Sequence, residues 1–289
     1  MNLKEAYDSA KKRLLAAGVP DADLDAWYLL EYAAGISRAR YFADPDRAMT
    51  EEQAELYNDC IERRSARVPL QHITGVQEFM GLEFEVNEDV LIPRQDTETL
   101  VEEAVRILQR EKSRFSGRRA RILDLCTGSG CILLSVLNCC GLPAEGTGTD
   151  LSEKALVVAR RNAGKLKIPA SFVQGDLFGA LESAPERFDM ILSNPPYIRT
   201  EEIGRLQEEV RLHDPVMALD GRDDGLYFYR EITERCGAYL NRDGYLMFEI
   251  GCDQAGDVAG LMRRQGFADV KLKKVGGQAV LGRQSFCTT

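Results

Sequence analysis

The chain has 289 residues, 44% of them hydrophobic, and a formal charge of −9. That is core enough for one large or two modest domains, and the acidic balance excludes a protein that grips phosphate backbones across a broad basic face. No window is apolar for long enough to span a bilayer, and Met1-Asn2-Leu3-Lys4-Glu5 carries an acid where a secretion signal is basic and then greasy. A cytoplasmic protein without a membrane partner is expected. The eight cysteines contain no C-x-x-C pair, and the only histidines are His72 and His213. A zinc site is therefore not expected, and the thiols are read as reduced and mostly buried.

Residues 1–70 read as helices only. Leu3, Ala6, Ala10, Leu14 and Leu15 recur at helical spacing up to Gly18-Val19-Pro20, and Leu24, Trp27, Tyr28 and Ala34 recur up to Gly35. Thr50 and Gln53 form a capping box that opens a helix through Leu56 and Ile61. Glu62-Arg63-Arg64 reads most simply as a solvated face, with a partner-docking surface as the alternative. From Val68 to Pro93 the pattern changes: His72-Ile73-Thr74-Gly75 and Leu82-Glu83-Phe84-Glu85-Val86 alternate like the arms of a hairpin, a connector between two domains. Asp96-Thr97 then caps a helix whose stripe is Leu100, Val101, Ala104, Val105 and Leu108, and residues 113–119 form a polar break.

Beyond that break the chain reads as an α/β unit. Residues 120–125 form a buried strand, Cys126-Thr127-Gly128-Ser129-Gly130 a glycine turn, and residues 131–137 an apolar helix. Such a turn lets backbone pass close to a ligand and offers it the free N–H groups of a helix start. Leu133 stands where the dinucleotide fingerprint needs a small residue, which counts against NAD. Asp150 ends the second strand, placed to accept both ribose hydroxyl protons of an adenosine-type ligand. Ser152 caps a helix over residues 153–165, and a third strand leads into Gly175-Asp176-Leu177-Phe178. Asp124, Asp150 and Asp176 thus come to three successive strand ends lining one crevice.

The fourth strand, residues 188–192 with Ser193, delivers Asn194-Pro195-Pro196-Tyr197 to the same edge. Two prolines cannot continue a strand, so the chain leaves the sheet in a stiff corner with free carbonyls, suited to holding a planar N–H₂ group. Residues 201–211 follow as a charged helix or lid. His213-Asp214-Pro215 is a loop, His213 being a structural or exposed histidine. Residues 226–240 read as an amphipathic helix, 245–250 as a strand, 253–264 as a helix, and 269–286 as two short strands around a glycine turn at Gly276-Gly277-Gln278.

With these residues in this order, the chain resembles the class I S-adenosylmethionine-dependent methyltransferases and, among them, the PrmC/HemK family of release factor glutamine N5-methyltransferases. The resemblance runs over nearly the whole length. The family's helical domain fits 1–70. Its β-hairpin linker fits 71–93, reading Pro69-Leu70-Gln71-His72-Ile73-Thr74-Gly75 through to Val90-Leu91-Ile92-Pro93-Arg94. Its methyltransferase domain fits 94–289, with Asp96-Thr97-Glu98, the glycine loop, Asp150 and Asn194-Pro195-Pro196-Tyr197 in place. The resemblance implies a Rossmann-like α/β domain, its sheet mostly parallel with an antiparallel C-terminal strand, behind a small all-α bundle.

It implies S-adenosyl-L-methionine as cofactor, held by Asp124, Cys126, Thr127, Gly128, Ser129, Gly130, Asp150, Leu151, Asp176, Leu177 and Asn194. The implied reaction methylates the glutamine of a Gly-Gly-Gln loop in peptide chain release factors. Asn194, Pro195, Pro196 and Tyr197 would bind that glutamine. The Asn194 side-chain oxygen and Pro195 carbonyl accept its N–H bonds, and Tyr197 packs on its face. A monomer is implied, with no direct nucleic-acid contact. Cys126 stands where the family usually has a glycine, Gln95 where it has a proline, and Leu177 where some members place an aromatic; the hairpin around Gly276 looks shortened. A ribosomal-protein glutamine methyltransferase stays open, as does a DNA amino-methyltransferase, which shares the tetrapeptide but needs a basic groove. A non-catalytic cofactor scaffold would have no need of Asn194.

Overall fold

Side-chain caps fix where the first helices begin. Asn2 and Glu5 form a reciprocal capping box on α1 (Leu3–Ala16), α2 (Ala22–Ala34) stops at Gly35 in left-handed backbone, and the Ser37 hydroxyl caps α3 (Arg38–Ala43). Thr50 and Gln53 box the start of α4 (Glu51–Ser65). The computed structural model describes residues 1–181, 187–275 and 277–284. The chain divides into two units, Met1–Val76 with Gln207–His213 and Gln77–Leu206 with Asp214–Thr289.

The first unit packs Leu14, Leu29, Leu30, Tyr57 and Ile61 into one core, and the buried Tyr57 hydroxyl donates to the Ala26 carbonyl at 2.9 Å. Two expectations fail here. Leu24 and Tyr28 are exposed, the inward face of α2 being Ala22, Asp25, Ala26, Leu29 and Leu30. Arg64 is not solvated. Its face of α4 meets α2, where its Nε lies 2.7 Å from Asp25 Oδ2, and its Nη2 reaches Glu209, also of this unit, at 3.2 Å. Buried charges persist only when paired in this way.

The connector was also misread at its start. Residues 72–74 belong to a helix, α5 (Leu70–Thr74), because Pro69 presents its carbonyl to the N–H groups of His72 and Ile73 and Gly75 closes the turn. The hairpin comes after it, as β1 (Val76–Phe79) and β2 (Leu82–Glu85). A 3₁₀ turn at Gln95–Thr97 leads into α6 (Glu98–Arg110). The expected Asp96-Thr97 cap makes no side-chain capping bond, since that turn already engages the first amides.

The second unit then runs β3 (Ala120–Leu125), α7 (Cys131–Cys139), β4 (Ala144–Asp150), α8 (Glu153–Leu166), β5 (Ser171–Gln174) and β6 (Phe188–Ser193). It continues through α9 (Thr200–Ile203), α10 (Glu208–His213, of the first unit), α11 (Val216–Leu219), α12 (Tyr227–Arg235), β7 (Leu240–Glu249), α13 (Ala255–Arg264), β8 (Phe267–Val275) and β9 (Gly277–Gln284). The strands form one sheet in the order β5-β4-β3-β6-β7-β9-β8, parallel except where β9 runs antiparallel to β7 and β8. Apolar clusters cover both faces, one with α6 and α7, the other with α12 and α13, as parallel strands require.

The stretch read as one helix or lid at 201–211 is two short helices. The helix from 226 ends at Arg235 and yields through a 3₁₀ turn to a strand that already starts at Leu240. The C-terminal strands are not short, at 9 and 8 residues, because each finds a ladder partner along most of its length. Gly276 of the Gly-Gly-Gln turn lies outside the described residues. Of the cysteines described, Cys60, Cys131, Cys140 and Cys236 are buried, and no disulfide joins any of the seven among the described residues. No helix among the described residues is long and apolar enough to cross a membrane.

Candidate active site

The carboxyl edge of the central strands is where the chain stops making sheet. Leu125 and Ser193 are paired across β3 and β6, and the Ser193 hydroxyl donates to the Leu125 carbonyl at 2.8 Å. Beyond this rung both chains turn away. A cavity of about 370 Å³ opens at this edge, beside the central pair of strands as the doubly wound topology dictates.

Cys126 and Gly128 turn the loop after β3 through left-handed backbone, with φ of 58° and 53°. The loop is anchored at both ends. The Thr127 N–H donates to the Thr149 carbonyl at 3.0 Å, and the Thr127 hydroxyl donates to Asp124 Oδ2 at 2.6 Å. It lies so close to β4 that a Cβ on Gly148 would sit 2.9 Å from Thr127 Oγ1, whereas one on Gly128 would meet nothing within 4 Å. The open side of Gly128 leaves backbone free for a ligand to approach. Asp150 is held from both sides, Oδ2 accepting from the Gly128 N–H and Oδ1 from the Ser152 N–H, each at 2.9 Å. Each oxygen retains a lone pair, so Asp150 can still accept from a diol. Burial raises its pKa and the backbone N–H bonds oppose the rise.

The diproline corner faces the same cavity. Asn194 and Pro196 are on its wall. The corner is held from behind by Gln254, whose Nε2 donates to the Tyr197 carbonyl at 3.0 Å and the Gly225 carbonyl at 3.2 Å, while its Oε1 accepts from the Gly251 N–H at 3.0 Å. Only glycine fits opposite, since a Cβ at Gly225 would lie 2.5 Å from the Tyr197 carbonyl oxygen. The Tyr197 phenol is pushed above its ordinary pKa by burial, with Glu249 adding to the rise.

Of the residues singled out from sequence, the cavity wall gathers Cys126, Thr127, Gly128, Ser129, Asp150, Leu151, Asp176, Leu177, Asn194 and Pro196. Gly130, Pro195 and Tyr197 stand outside that wall. So does Asp124, which is fully buried under the loop and braces Thr127; the three strand-end acids do not all line the crevice. Sequence reasoning missed the wall's other half, residues 90–94 with Thr97, and residues 215–218 with Phe228. Arg94 pairs with the buried Asp214 at 2.7 Å, joining these two segments; burial raises Asp214 to about 6, with Arg94 opposing. In the sequence, residues 90–94 and Thr97 stood out only as linker and capping motifs, and Pro215 only as a loop residue.

A strand–glycine loop–helix unit, an acid on the second strand and an Asn-Pro-Pro corner on the fourth, all around one cavity, define a Rossmann-like methyltransferase. Residues 122–213 match a methyltransferase domain and residues 5–75 the PrmC N-terminal domain. The chain belongs to the release factor glutamine methyltransferase family. It is 42% identical over 277 residues to the release factor glutamine methyltransferase of Caulobacter vibrioides, covering 95% of this chain and 92% of that one. It is 40% identical to that of Geobacter sulfurreducens, covering 92% and 90%. Among solved structures, a METTL16 methyltransferase domain superposes with a TM-score of 0.52 at 16% identity, covering 90% of this chain and 92% of that one. That likeness reflects fold.

Two outcomes follow from this geometry. Because position 126 holds a positive φ, Cys126→Gly should be more stable than Cys126→Ala by roughly 1 kcal/mol in urea denaturation. Burial raises the Asp124 carboxyl from 3.8 to about 7. Its buried charge therefore costs stability in full above that pH, progressively less as pH falls, and not at all below the unfolded value. Asp124→Asn should exceed the wild type in stability at pH 8, by roughly 4 kcal/mol at most, and the gap should close toward pH 4; a gap unchanged with pH would refute the assignment.

Proposed function

We infer that this protein transfers a methyl group from S-adenosyl-L-methionine to the side-chain amide nitrogen of the glutamine in the Gly-Gly-Gln loop of peptide chain release factors. The observation that carries this reading is that Asn194 shares one cavity wall with the glycine loop and Asp150. The residues fit the cofactor: Gly128 leaves backbone open, and the Asp150 carboxylate is fixed by two N–H groups yet still able to accept from ribose hydroxyls. When bound, S-adenosyl-L-methionine supplies a methyl group on a positively charged sulfur.

The chain's own contribution is positioning. A carboxamide nitrogen is a poor nucleophile because its lone pair is spread into the carbonyl. The Asn194 side-chain oxygen and the Pro195 carbonyl, accepting its two N–H bonds, would hold that nitrogen facing the methyl carbon and favour a localised lone pair. Alignment of this kind supplies about 7–11 kcal/mol in favourable systems, so no strong base is needed. Methylation of that nitrogen would be balanced by loss of one of its two protons to solvent water, leaving a neutral N-methyl carboxamide. Tyr197, packed on the amide face, would exclude water. Cys126, Thr127, Ser129, Leu151, Asp176 and Leu177 complete the cofactor's surroundings in this reading, with Gly130 and Asp124 supporting the loop from behind.

Residues 1–70 are assigned to release factor docking, residues 71–93 to the linker and 94–289 to the chemistry. The protein is read as a cytoplasmic monomer whose partner is a release factor, with no direct nucleic-acid contact. Asn194→Ala should keep cofactor affinity by calorimetry and lose turnover about 100-fold or more. Asp150→Ala should instead weaken cofactor binding first. A wild-type single-turnover rate in the Asn194 variant, or normal cofactor affinity in the Asp150 variant, would remove that residue from its role.

A further inference from the structure

We propose that Glu249 is a positioning residue that sets which way the Asn194 side-chain amide faces. The inference rests on the reading that Asn194 presents its oxygen to the substrate amide. The register of the sheet supplies the juxtaposition. Ser193, the last residue of β6, is paired with Phe248 of β7, so the next step along each strand brings Asn194 alongside Glu249, the last residue of β7. The Glu249 backbone is fixed by pairing with Ala279 and by the Tyr229 hydroxyl, which donates to the Glu249 carbonyl at 2.9 Å. Its carboxyl is buried and faces the side chains of Thr97, Asn194 and Tyr197. Oε2 finds no hydrogen-bond partner among the described residues. A buried carboxylate oxygen without a donor is costly, and the side chains around it are the donors within reach.

An asparagine amide has one accepting end and one donating end, and its surroundings decide the orientation. An ionised carboxylate only accepts. Set beside Asn194, it draws the N–H₂ group to itself and leaves the oxygen for the incoming carboxamide. The Thr97 and Tyr197 hydroxyls, able to donate, complete the set. Once protonated, the carboxyl gains an O–H that favours the opposite face of the amide, turning the N–H₂ group toward the substrate. The groups bearing on this carboxyl are Asp96 on the turn before α6, Cys131 at the start of α7, Tyr197 at the corner and Tyr229 on α12. Burial raises the Glu249 carboxyl to about 7, Thr97, Asn194 and Tyr197 opposing and Asp96 adding to the rise. The switch of orientation therefore falls near neutral pH.

The test is a pH titration of the full-length protein, followed by NMR at the Asn194 side-chain amide (identified by its loss in Asn194→Asp) and repeated in Glu249→Gln. The wild-type signals should move with a midpoint near 7 and stay still in Glu249→Gln. Release factor turnover should rise through the same range. It should fall about 10–100-fold in Glu249→Gln, as when an orienting side chain is lost, with KM and cofactor affinity kept and the pH dependence flattened. An Asn194 amide that does not titrate in the wild type, or titrates identically in both proteins, overturns the inference. If Glu249→Gln does not fold, the titration is repeated in Asp124→Asn, the other buried acid raised to about 7: a midpoint near 7 that persists there supports the pairing, and one that vanishes overturns it. A protein that methylates no release factor would overturn the proposed reaction, while the amide titration still judges the pairing of Glu249 with Asn194.

Discussion

Pro195 and Pro196 stand one residue beyond the end of β6, after Asn194, and neither can donate a ladder hydrogen bond. Because β6 lies between β3 and β7, its last residue is matched at once to Leu125 and to Phe248. The prolines therefore end pairing on both sides at the same level. From that level emerge the loop carrying Cys126 and Gly128, the corner carrying Asn194, and Glu249 with the turn beyond it. What faces the cavity is fixed by where the middle strand is forced to stop. The bend is held from behind by Gln254, which bonds the Tyr197 and Gly225 carbonyls with one N–H₂ group, and beyond it by the bridge between Ile198 and Asp220.

Around that edge the backbone adopts conformations that side chains disfavour. Cys126 and Leu177 both hold positive φ, 58° and 48°, and both line the cavity. Each such residue costs roughly 1–2 kcal/mol, and such residues persist only where neighbours over-determine them. At Cys126 the neighbour is the Thr127 hydroxyl bonded to Asp124. At Leu177 it is Gly175, where a Cβ would lie 2.6 Å from the Ala180 backbone, and Phe178, whose ring stacks on Tyr239 at 4.5 Å. Two of the four departures read from the sequence, at Cys126 and Leu177, thus fall on left-handed backbone at the cavity wall, where a glycine would carry no such cost.

The strand–loop–helix unit, Asp150 and the diproline corner were legible in the sequence because each is local: glycine, proline and a terminal acid act within a few residues of where they stand. The same holds for the capping box on α4. What escaped was set by distance. Residues 90–93 and 215–218 are apolar and reach the cavity only through the fold, and Arg94 finds Asp214 only there. Gln254 resembles any helix-start glutamine until its two carbonyl partners are in place. Arg64 sits in a charged run that reads as solvated, and only the docking of α4 on α2 brings Asp25 to it. Residues 72–74 alternate like a strand over too few positions to outweigh Pro69 and Gly75, which bracket a single helical turn. Asp124 was placed at the right strand end, yet the closing of the loop over it turns it from wall to brace.

In the proposed reaction the corner discriminates by the sense of its hydrogen bonds as much as by shape. An oxygen on Asn194 and a carbonyl on Pro195 are both acceptors, and the carboxamide of glutamine brings two donors to them. A glutamate side chain of nearly the same size would bring only oxygens, leaving acceptor against acceptor in a cavity already walled by Asp150 and Asp176. Sites that lose their buried hydrogen-bond partners in this way reject the wrong substrate by about 10⁴. That discrimination holds only while the Asn194 amide keeps its oxygen outward. If the amide turned over, its N–H₂ group would welcome a carboxylate and repel the donor-bearing amide. A group that fixes the orientation of Asn194 therefore governs which of two nearly isosteric side chains is accepted, as well as how fast the accepted one reacts. The acidic residue at the end of β7 occupies the place in the fold from which both can be set at once.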